Sequence, residues 1–207
     1  SFPQRKGTPQ LLLAFQAVAA RHPEVHLHLK VDPTPQLTRA LDDLKLTDRV
    51  TMITEPKSLK PQEMGAFLRR FDAVVQPSRG EGFGIVPLEA RAAGVPAILT
   101  GATGHLEHLD LTQDVEVTTG RLTPLATQGN SVGSCPTVSV EAVETALETF
   151  LTDRARLQKV AQERAHLHAE RWAWPKVLAP LVHRLRPFVK ETHSRKFTAS
   201  TGLRGTE

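Results

Sequence analysis

The 207-residue chain has no tyrosine, a single cysteine and only two tryptophans. One thiol, Cys135, excludes an internal disulfide framework and fits a reducing compartment. It sits in "GNSVGSCPTVS" with no His or Lys beside it and reads as an inert thiol. No apolar run approaches the ~18–20 residues that span a membrane, and the opening residues carry no signal-peptide pattern. The expected location is therefore cytoplasmic. Few aromatics are interleaved with the basic residues, so a base-stacking surface is unsupported and nucleic acid is not an expected partner. His26, His28, His166 and His168 are not joined to carboxylates at metal-ligand spacing, so they read as structural or solvated, and no metal is expected.

What is present is ordinary for a globular domain: 40% hydrophobic and 23% charged residues, enough for one sizeable core. The net charge is +4 and favours anionic ligands. Much of the excess lies late, at Arg184, Arg186, Lys190, Arg195, Lys196 and Arg204. Residues 186–207 are expected to form a basic, flexible tail behind a domain at 1–185. Peripheral contact with the inner face of a membrane is a secondary expectation for that tail.

Apolar stretches of two periods alternate along the chain. Thr8-Pro9 and Thr34-Pro35 read as an N-cap followed by Pro at the first helical position, and Ser58 is placed to cap a third helix. "EVHLHLKV", "RVTMIT", "DAVVQP", "PAILT" and "DVEVTTG" read as strands, and the segments between them as helices of ~10 residues. "GHLEHLDL" reads as a short helical segment. This rhythm implies an α/β fold: a doubly wound, Rossmann-like parallel sheet with helices on both faces and further helices at the C-terminus. Residues 120–136 are rich in Gly, Thr, Ser and Pro and read as a loop. Three helical stretches follow, with Pro175 and Pro180 breaking the last.

The chemistry concentrates in "PSRGEGFGIVPLEARAAGVP", residues 77–96, where a strand hands over to a helix. Ligands of doubly wound sheets bind at the carboxyl ends of strands. Glycines there let backbone approach a ligand, and the amides of a helix N-terminus attract phosphate. Pro87 suits the first turn. Two carboxylates beside an anion site are wasteful unless they hold neutral hydroxyl groups, as sugars offer. The residues thus describe a phosphate flanked by two polyols, a nucleotide sugar. The competing reading is a tight turn with Glu89 on a helix surface. The run lacks G-x-G-x-x-G and the P-loop Lys-Ser/Thr, which weakens dinucleotide and P-loop readings.

The stretch "PSRGEGFGIVPLEARAAGVPAI" resembles the donor-site signature of retaining glycosyltransferases of family 4 (group 1), which have the GT-B fold. In that signature two glutamates stand with seven residues between them, here Glu81 and Glu89. "RKGTPQLLLAFQAVAARHPEVHLHL", "TGHLEHL" and "RW" before Trp174 are similar to other family segments, and the likeness runs over roughly residues 4 to 185. It implies one half of a GT-B architecture, the C-terminal donor-binding portion, and sugar transfer from a nucleotide sugar to an unknown acceptor with retention of configuration. By resemblance, Glu81 would bind the transferred sugar near the reacting carbon and Lys6 would neutralise the leaving diphosphate, both as catalytic residues. Glu89 would hold the ribose, and backbone at Gly82, Phe83, Gly84 and Ile85 would meet diphosphate and sugar. The base would lie near Ile53. No metal or cofactor is needed for such electrostatic stabilisation. His105 and Glu107 read equally as site neighbours or as a helix-start pair, and Arg5 reads as a surface residue.

The chain departs from the pattern in three ways. The family places an Arg about six residues before the lysine, on the first and central strand, and Lys6 leaves no room for it. This leads to the expectation that the chain is the C-terminal piece of a longer polypeptide. The acceptor domain, with its own Gly-rich loop, is not in these residues, so an N-terminal GT-B domain or another chain is the expected partner. "KVDPTP" replaces a glycine-based turn. The alternative function is a non-catalytic nucleotide-sugar-binding module acting with another chain.

Overall fold

A computed structural model describes residues 4–127 and 130–188. The first unit, ending at Arg171, alternates helix and strand: α1 (Thr8–Arg21), β1 (Leu27–Leu29), α2 (Pro35–Asp43), β2 (Val50–Met52), α3 (Pro61–Leu68), β3 (Val74–Gln76), α4 (Ile85–Ala92), β4 (Ala97–Thr100) and β5 (Val115–Val117). A hairpin of β6 (Leu122–Thr127) and β7 (Asn130–Pro136) follows, then the long α5 (Val140–Arg171). Five strands are parallel, as the alternation predicts. They pair in two hydrogen-bonded groups, β1-β2 and β3-β4-β5, with Val74 opposite Ala97 and Ile98 opposite Val115.

β4 is buried along its whole length, as expected of a strand covered on both faces and paired on both edges. Its Ile98 shares a core with Leu29 and Val50 from the other strand group. α1 contributes Leu11, Leu12, Phe15 and Val18 to this core, and α5 contributes Val143, Leu147, Phe150 and Leu157. Leu12, Phe15 and Val18, and likewise Val143, Leu147 and Phe150, recur at spacings of three and four, which puts each of these sets on one helical face.

Several local expectations shift. Thr34 caps α2 as read, its hydroxyl accepting the Leu37 N–H at 3.2 Å. At α1 the cap is Gly7 rather than Thr8, with φ 72°. A Cβ at Gly7 would lie 2.1 Å from the Pro77 carbonyl oxygen, so only glycine lets α1 start against the chain leaving β3. At α3 the cap is Lys60, not Ser58, and the Glu63 carboxylate accepts the Lys60 N–H at 2.9 Å.

Residues 120–136 are not a plain loop. Most of them form the β6–β7 antiparallel hairpin, with a register shift between Leu125 and Ala126. Turn-rich composition hid a pairing that only the partner strand reveals. Two of the three late helical stretches merge into α5, kinked at Asp153. "GHLEHLDL" forms a 3-10 turn at Thr103–Glu107.

A second unit begins at Trp172 and holds α6 (Trp174–Leu185) and a 3-10 turn at Arg186–Phe188. Pro175 occupies the first turn, where its missing N–H costs nothing, and Pro180 sits inside α6 without ending it. The tail expected at 186–207 lies beyond the described residues after Phe188. No described helix is long and apolar enough to cross a membrane.

Candidate functional site

The carboxyl ends of β3 and β4 lie side by side, and residues 4–7 fold across them. The Arg79 N–H donates to the Arg5 carbonyl at 2.8 Å, which pins the approach to α1 against the chain after β3. This brings Lys6 to Glu81 across 75 residues: Lys6 Nζ donates to Glu81 Oε1 at 2.5 Å. The Glu81 side chain is only 9% exposed. Gln76 Nε2 donates to the same oxygen at 3.2 Å. Arg5 is not the plain surface residue that the sequence suggests: its guanidinium donates to the Gly80 carbonyl and lies 3.5 Å from Glu81 Oε2. One carboxylate thus meets two cations. Burial acts to raise the Glu81 carboxyl, but the Lys6 bond and charge, helped by Arg5, outweigh it and hold the group below its ordinary range.

The Glu81 backbone is held as firmly as its side chain. Its N–H donates to Thr103 Oγ1 and its carbonyl accepts the Gly104 N–H, both at 3.1 Å. Next in the chain, Gly82 is exposed, and a Cβ there would meet nothing within 4 Å. The protein's own packing therefore does not demand glycine at 82, whereas a ligand resting on the backbone would. Gly84 caps α4 with φ 84°, and a Cβ there would strike His105 Cδ2 at 2.4 Å.

The first-turn amides of α4 have no carbonyl inside the helix to bond. Ile85 is exposed at this turn and Pro87 is buried in it. Glu89 lies one turn further, half-buried, with its carboxyl raised by burial. It makes no ion pair among the described residues. Ile53 follows β2, its N–H donating to the Leu29 carbonyl at 2.8 Å, and it has no part in the Lys6–Glu81 group. Glu107 is exposed.

Two histidines pack behind Gly84, in opposite tautomers. Thr100 Oγ1 donates its only proton to the Ser78 carbonyl at 2.6 Å. It must therefore accept from His105 Nδ1, 3.0 Å away, which leaves His105 Nε2 bare, buried and without a partner. Arg91, on α4 and fully buried, donates one guanidinium nitrogen to Asp114 and another to His108 Nδ1. A guanidinium can only donate, so His108 carries its proton on Nε2 and donates it to the Phe83 carbonyl at 2.7 Å. The Phe83 ring stands edge-on to His108 at 5.2 Å.

Burial holds the His105 imidazole at about 4, outweighing the nearby Glu81 carboxylate. Its ordinary value is 6.5, so between pH 6.5 and about 4 the unfolded chain binds a proton that the folded protein refuses. Stability from this group is complete above 6.5 and is lost as pH falls through that window, by up to roughly 3 kcal/mol. The H105N variant keeps a donor toward Thr100 but cannot titrate. Its acid limb in pH-dependent denaturation is expected to be flatter by that amount, and superimposable curves would refute the account.

Of the residues singled out in the sequence, Lys6 and Glu81 meet directly beside the Gly82–Ile85 turn, and the structure adds Arg5, Arg91, His108 and Asp114, which the sequence did not single out as site residues. Arg5 had a signal, a second cation beside the first at a helix start. Arg91 had a weaker one, a charge three residues after Leu88 on a helix whose inner positions are apolar. A cavity of about 360 Å³ lined by Arg69–Asp72, Ala93–Pro96, Gln158 and Gln162 opens at the amino ends of β3 and β4, the opposite end of the strands from Glu81.

The family model described as "Family 4 Glycosyltransferase in conflict systems" matches residues 4–181. The D-inositol 3-phosphate glycosyltransferase of Rhodococcus opacus is 30% identical over 178 residues, covering 82% of this chain and 35% of that protein. Its counterpart in Pseudarthrobacter chlorophenolicus is 34% identical over 108 residues, covering 49% and 25%. The chain thus spans from a quarter to about a third of these curated relatives. Among solved structures, the C-terminal domain of a group 1 glycosyl transferase (LpcC) from Francisella tularensis superposes with a TM-score of 0.57 at 21% identity, covering 81% of this chain and 79% of that one. Anabaena HepE in complex with UDP and glucose superposes at 0.65 and 18% identity, covering 88% and 45%. These structural likenesses identify the fold as that of a GT-B half.

Proposed function

The chain belongs to the family 4 glycosyltransferases found in conflict systems, and from that premise we propose that it binds the nucleotide-sugar donor of a sugar transfer that retains anomeric configuration. The observation that carries this reading is the Lys6–Arg5–Glu81 group set against the exposed Gly82 turn and the start of α4. Two cations and a helix N-terminus suit a diphosphate. Glu81 keeps its charge and offers a carboxylate to sugar hydroxyls beside it. Glu89, one turn into α4, is proposed to take the ribose, and Ile53 to border the base.

Lys6 and Arg5 stand where negative charge grows as the diphosphate departs, an electrostatic role that the chain's own side chains fill. The UDP-bound Anabaena neighbour supports a uridine nucleotide as the first donor to try. The acceptor side of the reaction would come from a second GT-B domain or a partner chain.

The test is calorimetric titration of the protein with UDP-glucose, GDP-mannose and ADP-glucose, followed by donor-turnover assays. Saturable binding of at least one donor is expected, with transfer or slow donor hydrolysis. Binding without any turnover would leave the binding-module reading standing, and no binding of any donor would overturn the proposal.

A further inference from the structure

We propose that His108 is a positioning residue for the donor turn, a clamp that sets the direction of the Phe83–Gly84 peptide. The inference rests on the reading that residues 82–85 meet the donor. It begins from Asp114, which is buried just before β5. Its carboxylate accepts the Ala97 N–H at 3.2 Å and the Asp110 N–H at 3.1 Å, so its position is fixed by backbone. Arg91 is anchored on this carboxylate and turns its remaining nitrogen to His108 Nδ1. With that nitrogen occupied by a donor, the imidazole has one tautomer open to it, and Nε2–H is committed to the Phe83 carbonyl.

A trans peptide points its C=O and N–H in opposite directions. Holding the Phe83 carbonyl on His108 therefore aims the Gly84 N–H to the side opposite His108. That amide belongs to the αL residue that caps α4, and fixing its direction prepares the turn for an anion before one arrives. Three elements that are distant in sequence, α4, the 3-10 turn and the approach to β5, thus converge on one peptide plane. His108 is faced by Arg91 from α4 and by the His105 ring at 5.8 Å from its own turn, while Asp114 acts on it through Arg91.

Two substitutions separate the clamp from mere filling of the core. Glutamine places its amide near the Nε2 position and can still donate to the Phe83 carbonyl. Asparagine reaches only the Nδ1 position, so it keeps Arg91 partnered and drops the clamp. The protein and the variants H108N and H108Q are titrated with UDP, GDP and ADP, and their melting temperatures are recorded.

H108N is expected to bind the preferred diphosphate about tenfold more weakly, and H108Q within about threefold of the parent. Equal losses in both variants, or parent-like binding by H108N, would overturn the clamp. Long-range proton–nitrogen spectra of the unliganded parent give a reading free of any ligand: the Nε2–H tautomer of His108 is expected, and the Nδ1–H form would also overturn it. A parent that binds none of the three diphosphates fails the donor reading and takes this inference with it, while the tautomer spectrum tells that failure apart from a wrong clamp.

Discussion

Alanine at Lys6 is expected to lower sugar transfer by about 10²–10³-fold, the loss typical when a preorganised charge facing a developing oxyanion is removed. The effect on folding should be small. The Lys6 side chain is 33% exposed, and a partly solvated ion pair contributes at most about 1 kcal/mol. E81A is expected to lose transfer to a similar degree, since the nearly buried carboxylate is the charged acceptor on which Lys6 and Arg5 converge. On the proposed donor reading Arg5 still faces the diphosphate in K6A, so residual binding is expected to exceed residual turnover. Steady-state transfer and donor titration of both variants, with melting curves as the control, decide the matter. If K6A and E81A bind and react like the parent, the site assignment is wrong.

Removing Arg91 is expected to have the largest effect on stability. Its side chain and that of Asp114 are both fully buried and paired. The R91M variant keeps a long apolar side chain but leaves the carboxylate without its cation, and His108 Nδ1 without its donor. Breaking a buried pair from one side costs about 3–5 kcal/mol. Neutralising the partner as well should recover part of that loss, because an amide at 114 can still accept the Ala97 N–H without bearing a charge. Denaturant unfolding of R91M, D114N and the double variant tests the coupling. Additive losses would show that the two groups do not act as a pair.

These two sites differ in how far they could be read in advance. The alternation of helices and strands was plain because branched residues cluster in runs of about five and leucines recur at helical spacing, and each of the five parallel strands appears where its run stands. The Gly-rich turn was plain because glycine and acid are unusual at the end of an apolar strand. The hairpin at β6–β7 was missed because Gly, Ser and Thr mark turns when considered locally, whereas a strand is stabilised by a partner elsewhere in the chain. The cap of α1 was displaced by one residue because the contact with Pro77 selects the cap, and Pro77 lies 70 residues away.

By itself the amino-acid sequence determined the period of each element, the parallel α/β class and the glycine- and acid-rich turn after β3, since these follow from side-chain patterns within a few residues. Tertiary structure alone decided which groups meet there. Folding carried Arg5 and Lys6 to Glu81, paired Arg91 with Asp114 across 23 residues, and gave His105 and His108 opposite tautomers though they stand three residues apart. A proton's position on an imidazole depends on which donor or acceptor packs against each nitrogen, and that is settled only when distant segments close around it.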